Sequence, residues 1–397
     1  MTAMTQTSSV RAARPENAEA VLEILSLAFG LDPDAARPIF YGDPYYDLSH
    51  KRVLSLPDAG LVSCLTLVPT TLRIGGVPIP AGGVAGVATR SEFLRQGHAA
   101  ALLTATVPAL WEELGYPLSL LHPISAPFYQ RFGWEHASRH VRWVSAPSDL
   151  PHSAEAGGVR PASTDDWPAI RQLHDQLTRT GTGAFERDLP RWQLIQMPIP
   201  DRDTFVYETN GRITGYCVWE RHDVLHLLEM QGSTEDARRG LLGFLACQTD
   251  ALTEWATSPA LLKKFGLSSA GLPLEPGVML RIIDLEAALS ALHSVHFMPV
   301  LTELGATLTI HAADPLRPEN TRPLRLTPEG VFPDTSHTTG PWLRADIRTL
   351  ARLYLGDLLP SEAAAQNMFS TDSPQTLALA DRLFPLREPY VAPLDQF

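Results

Sequence analysis

A short pattern occurs twice in the chain. Val10-Arg11-Ala12-Ala13, followed by Glu16, Asn17, Val21 and Ile24, returns as Val159-Arg160-Pro161-Ala162, followed by Asp165, Asp166, Ile170 and Leu173, at a constant spacing of 149 residues. Each copy reads as a short strand, an acidic helix start and apolar positions at helical spacing. Two similar α/β domains in tandem are the simplest explanation, and a chance match of common residue types is the competing one. Residues 146–158, rich in Pro, Ser, Ala and Gly, have the make-up of a linker. A second boundary falls near 285–296. Beyond it, strand-like alternation at 307–311 and 323–331 gives way to helical stretches at 345–358, 361–369 and 375–384. The expected division is therefore 1–150, 156–290 and a smaller α+β unit at 291–397.

Composition narrows the class of function. The 397 residues are 44% hydrophobic, 8% aromatic and 19% charged, which excludes a disordered tail, a coiled coil and a collagen-like fibre. No apolar run approaches the ~20 residues that span a bilayer, and the first twenty residues lack a signal-peptide core. Cys64, Cys217 and Cys247 are too few and too scattered for a disulfide framework or a zinc site. A cytoplasmic protein without membrane attachment is expected. The net charge of −12 disfavours nucleic-acid binding and would favour cationic, amine-bearing substrates.

Within the first domain, 61–68 and 70–74 read as β-structure leading into Gly75-Gly76, a hairpin signal. The returning segment, 77–89, is interrupted by Gly82, Gly83 and Gly86, which points to a bulge or a close approach. Arg95-Gln96-Gly97-His98-Ala99 then opens a helix, with Pro108 predicting a kink or break inside it. Strand, glycine turn and helix N-terminus together make an anion-binding geometry. The spacing is neither the Rossmann fingerprint nor a Walker loop. Taken alone, it equally describes a plain strand-to-helix turn.

The ensemble is more specific. Val84 to Thr89, Arg95-Gln96-Gly97-His98-Ala99, the helix, the strand 118–121 and Phe128-Tyr129-Gln130-Arg131-Phe132-Gly133-Trp134 together resemble the GCN5-related N-acetyltransferase (GNAT) superfamily. The chain departs from that pattern at Leu94, where the family carries Arg or Gln. Two such domains followed by a small α+β domain resemble the enhanced-intracellular-survival (Eis) acetyltransferases, whose third domain is sterol-carrier-like. Ala126 to Trp134, Leu353-Tyr354-Leu355-Gly356 and the aromatic Phe397 carry that likeness. The resemblance implies two GNAT-like domains with mixed central sheets and a homohexamer. It also implies acetyl transfer from acetyl-CoA to amines of aminoglycosides, related polyamines or lysine side chains.

Position by position, it makes Tyr129 the general acid and the terminal carboxylate of Phe397 the general base. Val87, Ala88 and Thr89 would grip the thioester and pantetheine. Arg95, Gln96, Gly97, His98, Ala99 and Ala100 would hold the pyrophosphate, with Ile124 and Ser125 as a further coenzyme contact. No metal is needed.

The chemistry is consistent with those residue types. A lysine-type amine (pKa ~10.4) must lose a proton to a carboxylate (pKa ~3.3–3.7), a gap that burial of both narrows. A phenol of pKa ~10 can protonate a thiolate of pKa ~8.5. Each residue also has a structural reading: Tyr129 as a core aromatic, Phe397 as a frayed end, His98 and His122 as packing residues. Asp32, after the first helix, is a candidate substrate contact or a solvated turn residue. Arg238-Arg239-Gly240 imitates the pyrophosphate loop but lacks a following Tyr-x-x-x-Gly signature, so the second domain is expected to be a scaffold. The competing function is a non-catalytic lipid or small-molecule binding protein with a vestigial first domain.

Overall fold

The computed structural model describes residues 9–248, 252–335 and 340–397. They form three mixed sheets with flanking helices. The first two sheets have seven strands each and the third has five.

The repeated sequence pattern becomes a repeated topology. Ser9–Ala12 and Val159–Pro161 are edge strands of the first and second sheets. Each is followed by a 3-10 turn and a helix, Ala18–Ala28 in one and Trp167–Thr178 in the other. In the first sheet the edge strand lies antiparallel to Lys51–Leu56, which pairs with Gly60–Ile74, which pairs with Val77–Thr89. Val77–Thr89 then runs parallel to Leu118–Leu121. The second sheet repeats this through Arg202–Thr209, Arg212–Arg221, Leu225–Gly232 and the parallel neighbour Thr253–Thr257.

Each sheet is completed by a strand from elsewhere in the chain. Arg139–Ser145 leaves the first sheet and pairs with Thr253–Thr257 of the second. Met279–Ile282, late in the second segment, returns to pair with Leu118–Leu121 of the first. This exchange locks the two sheets together and was not foreseen from the sequence, because it joins residues far apart in the chain.

The hairpin falls where Gly75-Gly76 places it. Both glycines have positive φ (55° and 86°), which matches the twist of the flanking strands. Residues 61–74 form one strand, Gly60–Ile74, running through Pro69. Proline is tolerated there because the neighbour Lys51–Leu56 pairs only as far as Thr66, so the missing N–H faces no partner on that side. Of the kink or break expected at Pro108, no break forms: one helix runs over His98–Glu112. Its buried Leu102, Leu103, Val107 and Leu110 anchor it on the sheet, and that packing outweighs the one hydrogen bond proline removes.

In the third unit, Leu308–Ala313, Leu324–Thr327, Gly330–Pro333, Trp342–Asp346 and Phe369–Thr371 make the sheet. Helices Ile347–Leu355 and Pro374–Leu383 pack against it. No described helix is long and apolar enough to cross a membrane.

Candidate active site

The site begins where two strands part. Val77–Thr89 and Leu118–Leu121 are paired only from Ala81–Leu118 to Gly83–Leu120. Beyond Gly83 the register with Gly60–Ile74 slips between Cys64 and Thr66. The slip leaves Gly86 (φ 56°) and Val87 as a bulge. Such a bulge frees backbone N–H groups from the ladder. Ser63 Oγ donates to the Ala88 carbonyl at 2.7 Å and lies 2.9 Å from Thr89 Oγ1, which fixes the strand just past the bulge.

On one face of the sheet lies the loop that opens helix His98–Glu112. Arg95 (φ 61°) and Gly97 (φ 87°) are both left-handed. A Cβ at Gly97 would meet nothing within 4 Å, so its free side faces open space. No side chain caps the helix, which leaves the first-turn amides unpaired at the positive end of the dipole. A cavity of about 360 Å³ lies against Thr89, Leu94, Arg95, Gly97, His98, Ala99, Ala100, Phe128 and Arg131. Gln96 lies outside it and donates to the Glu92 carbonyl at 3.0 Å, holding the loop. Ile124 is 90% exposed and Ser125 precedes helix Ala126–Gln130; neither lines this cavity.

The sequence reading missed Arg131. Its guanidinium sits 5.1 Å from the Phe128 ring centre and 5.6 Å from that of Phe132. It lines the same cavity as Arg95 and brings a second guanidinium to it. The available signal was its place two residues after Tyr129. Free amides, an open glycine face and two guanidiniums fit a diphosphate such as that of a coenzyme A thioester.

Side-chain alternation places the other candidates. A Cβ at Gly82 would fall 2.5 Å from Leu110, so Gly82 faces the helix. Gly83 faces the opposite way. A Cβ there would fall 2.4 Å from the Phe397 ring, so only glycine admits that ring. Phe397 also stacks on Phe185 at 6.2 Å, meets the His122 edge at 5.7 Å and lies 5.9 Å from the Arg191 guanidinium. Tyr129 belongs to the cluster of Val84, Leu121 and Leu102 on the helix side. It is 8% exposed, and burial pushes its phenol pKa up. Tyr129 and Phe397 therefore belong to opposite faces of the sheet, near the level where the strands part. Burial, with help from Arg191, lowers the pKa of His122 to about 4.

A smaller cavity of about 160 Å³ adjoins the Phe397 side, lined by Tyr45, Thr70, Thr71, Tyr116, Phe185, Glu186, Asp188 and Arg191 among others. Tyr45 donates to Asp188 Oδ1, which also accepts from Arg191 N at 2.9 Å. Nothing local in the sequence marked Glu186 and Asp188, since their place depends on contacts with the hairpin. Asp32 lies elsewhere, as N-cap of helix Pro33–Gly42, where Oδ1 accepts from Asp34 N (2.9 Å) and Ala35 N (3.0 Å). Arg238, Arg239 and Gly240 lie inside helix Glu235–Ala246 and not in a loop. Arg239 is tied to Glu155 and Asp236.

Residues 9–137 match the family described as acetyltransferase (GNAT) domain. The first domain is a GNAT acetyltransferase. Residues 285–392 match the sterol carrier protein domain. The GNAT domain makes the chain an acetyltransferase and implies acetyl-CoA as the donor. An uncharacterized N-acetyltransferase of Streptomyces avermitilis is 25% identical over 345 residues, 78% of this chain and 79% of that one. The fold is shared with a GCN5-related N-acetyltransferase of Anabaena variabilis, at a TM-score of 0.82 and 20% identity, covering 98% of this chain and 100% of that one. Eis1 from Mycobacterium abscessus aligns at a TM-score of 0.75 and 19% identity, over 98% of this chain and 100% of that one.

Proposed function

We propose that the GNAT domain acetylates primary amines of aminoglycoside-like polyamines or lysine side chains, by direct attack in a ternary complex. The seat of Phe397 against Gly83, across the sheet from the Tyr129 cluster, carries this reading. The opening between the strands lets a donor on the helix side meet an acceptor on the other.

Arg95, Arg131 and the amides from Gly97 to Ala100 hold the diphosphate. Val87, Ala88 and Thr89 hold the pantetheine arm, and Ile124 and Ser125 flank it. Acetyl-CoA supplies an activated acyl group as a thioester. An amide freed at the Gly86–Val87 bulge donates to the acyl oxygen as charge grows on it. Tyr129, a phenol protonated at neutral pH whose ionisation burial disfavours further, gives its proton to the departing sulfur. The Phe397 carboxylate accepts a proton from the amine or positions the amine while water takes it. Glu186 and Asp188 draw a cationic acceptor to that side, with Tyr45 and Tyr116 as walls. Asp32 has its structural role as a cap, and any substrate contact would be additional.

The domains act together in this scheme. Residues 1–150 carry the coenzyme, 156–290 shape the acceptor side, and 291–397 deliver the tail. A homohexamer follows the Eis pattern.

The test is an amine panel, aminoglycosides and lysine peptides included, read by release of free thiol from acetyl-CoA. Thiol release that depends on a polyamine or lysine peptide is expected. No amine-dependent release, despite acetyl-CoA binding, would refute the proposal.

A further inference from the structure

Three charged groups are almost wholly enclosed where the tail meets the second domain. The side chains of Arg187, Glu229 and Asp395 are 0%, 3% and 1% exposed. Arg187 spans both carboxylates. Its Nε and Nη2 donate to Asp395 Oδ1 and Oδ2 at 2.8 and 2.9 Å. Its Nη1 and Nη2 donate to Glu229 Oε2 and Oε1 at 2.9 and 3.0 Å. Tyr216 donates to Glu229 Oε2 at 2.9 Å and lies 3.0 Å from His174 Nδ1. Burial alone would raise the pKa of Glu229; Arg187 and His174 instead hold it below the usual carboxylate range.

Glu229 and Arg187 belong to the second domain, whereas Asp395 lies two residues before Phe397. Leu394 is buried with Ile170, Trp192 and Val206. Arg191 donates to the Asp395 carbonyl at 3.2 Å and also lies over the Phe397 ring.

We propose that Asp395 is a positioning residue, latched through Arg187 to Glu229 so that Phe397 is held in the cleft of the first domain. Two residues span at most ~7 Å, so fixing Asp395 confines Phe397 to a small region. A buried ion pair adds little net stability compared with apolar packing, but it does specify geometry. Without the latch, the tail keeps its anchor at Tyr390, whose N–H and hydroxyl bond Thr182 O (3.1 Å) and Ala256 O (2.8 Å). Its last turn would then be held only by the Leu394 side chain and the Arg191 bond to the Asp395 carbonyl.

This inference rests on the proposed role of Phe397, and its test separates the two. The full chain and Asp395→Asn are compared by hydrogen exchange of the segment 390–397, by acetyl-CoA calorimetry and by steady-state acetyl transfer. Asp395→Asn should speed exchange of the tail ~10-fold and lower kcat ~10²-fold, as a misplaced group does, with acetyl-CoA affinity unchanged. Asp395→Glu, which keeps the carboxylate, should recover much of both. Unchanged tail exchange in Asp395→Asn, with the fold intact by thermal melting, overturns the latch. Faster exchange with unchanged kcat overturns the positioning role and, with it, the part given to Phe397. Should Asp395→Asn melt far below the parent, Glu229→Gln supplies the same comparison from the other side of Arg187.

Discussion

Tyr129 has lost most of its contact with water, and a phenol so placed resists ionisation. In the proposed scheme it is the proton donor for the leaving thiolate. Tyr129→Phe should therefore lower kcat ~10²–10³-fold and leave acetyl-CoA affinity by calorimetry within ~2-fold. A drop in affinity matching the drop in turnover would make it a binding residue. Gly97 and Gly83 test the two faces separately. Gly97→Glu sets bulk and negative charge among the free amides and should abolish coenzyme binding, with a stability loss of about 1–2 kcal/mol from the left-handed φ of 87°. Gly83→Ala should drive the Phe397 ring from its seat, lowering turnover while coenzyme binding survives. The glycines were legible in the sequence as an interruption of the strand, and Gly97 as a turn. Arg131 and Phe185 were not, because their place depends on which aromatic rings they meet.

Among the elements, the exchanged strands are the least predictable from the sequence. The hairpin, the strand Leu118–Leu121 and the helix after Gly97 follow from local pattern: alternation, paired glycines, helical spacing. Local pattern cannot show that Met279–Ile282 belongs beside Leu118–Leu121, since any buried apolar run of that length fits an inner strand equally well. Arg281, inside that strand and 0% exposed, is held by both oxygens of Asp314 at 3.0 Å. Removing one partner of a buried pair leaves an uncompensated charge, at a cost of about 3–5 kcal/mol. Asp314→Asn should lower stability by that order in denaturant melts, and a loss below about 1 kcal/mol would show the pair contributes little. The run through Pro108 teaches the converse: a strong local breaker yields when four leucine- and valine-type contacts hold its helix down.

At the scale of the whole molecule, the tail ties the three units into one machine. Tyr390 anchors on the second unit, Asp395 on its buried arginine, and Phe397 reaches the first. From the sequence, only the resemblance that singled out Phe397 gave the tail a role. The Arg187–Asp395 contact joins residues 208 apart and leaves no local trace. The tail also bears on pH dependence through His122, which the Phe397 ring helps enclose. Its folded pKa, about 4, lies below the ordinary 6.5, so the unfolded chain takes up the proton first. Stability from this group is full above pH 6.5 and falls as pH drops from 6.5 to about 4, by about 3 kcal/mol. Melting temperature against pH should decline through that window, and His122→Gln should flatten the decline. An unchanged profile in the variant would assign it to other groups.

The most direct test is turnover by the chain lacking Phe397, measured beside its affinity for acetyl-CoA. Loss of ~10²-fold or more in amine-dependent thiol release, with coenzyme affinity intact, is the expected result. A shortened chain that binds acetyl-CoA and acetylates amines at the parent rate would contradict the account.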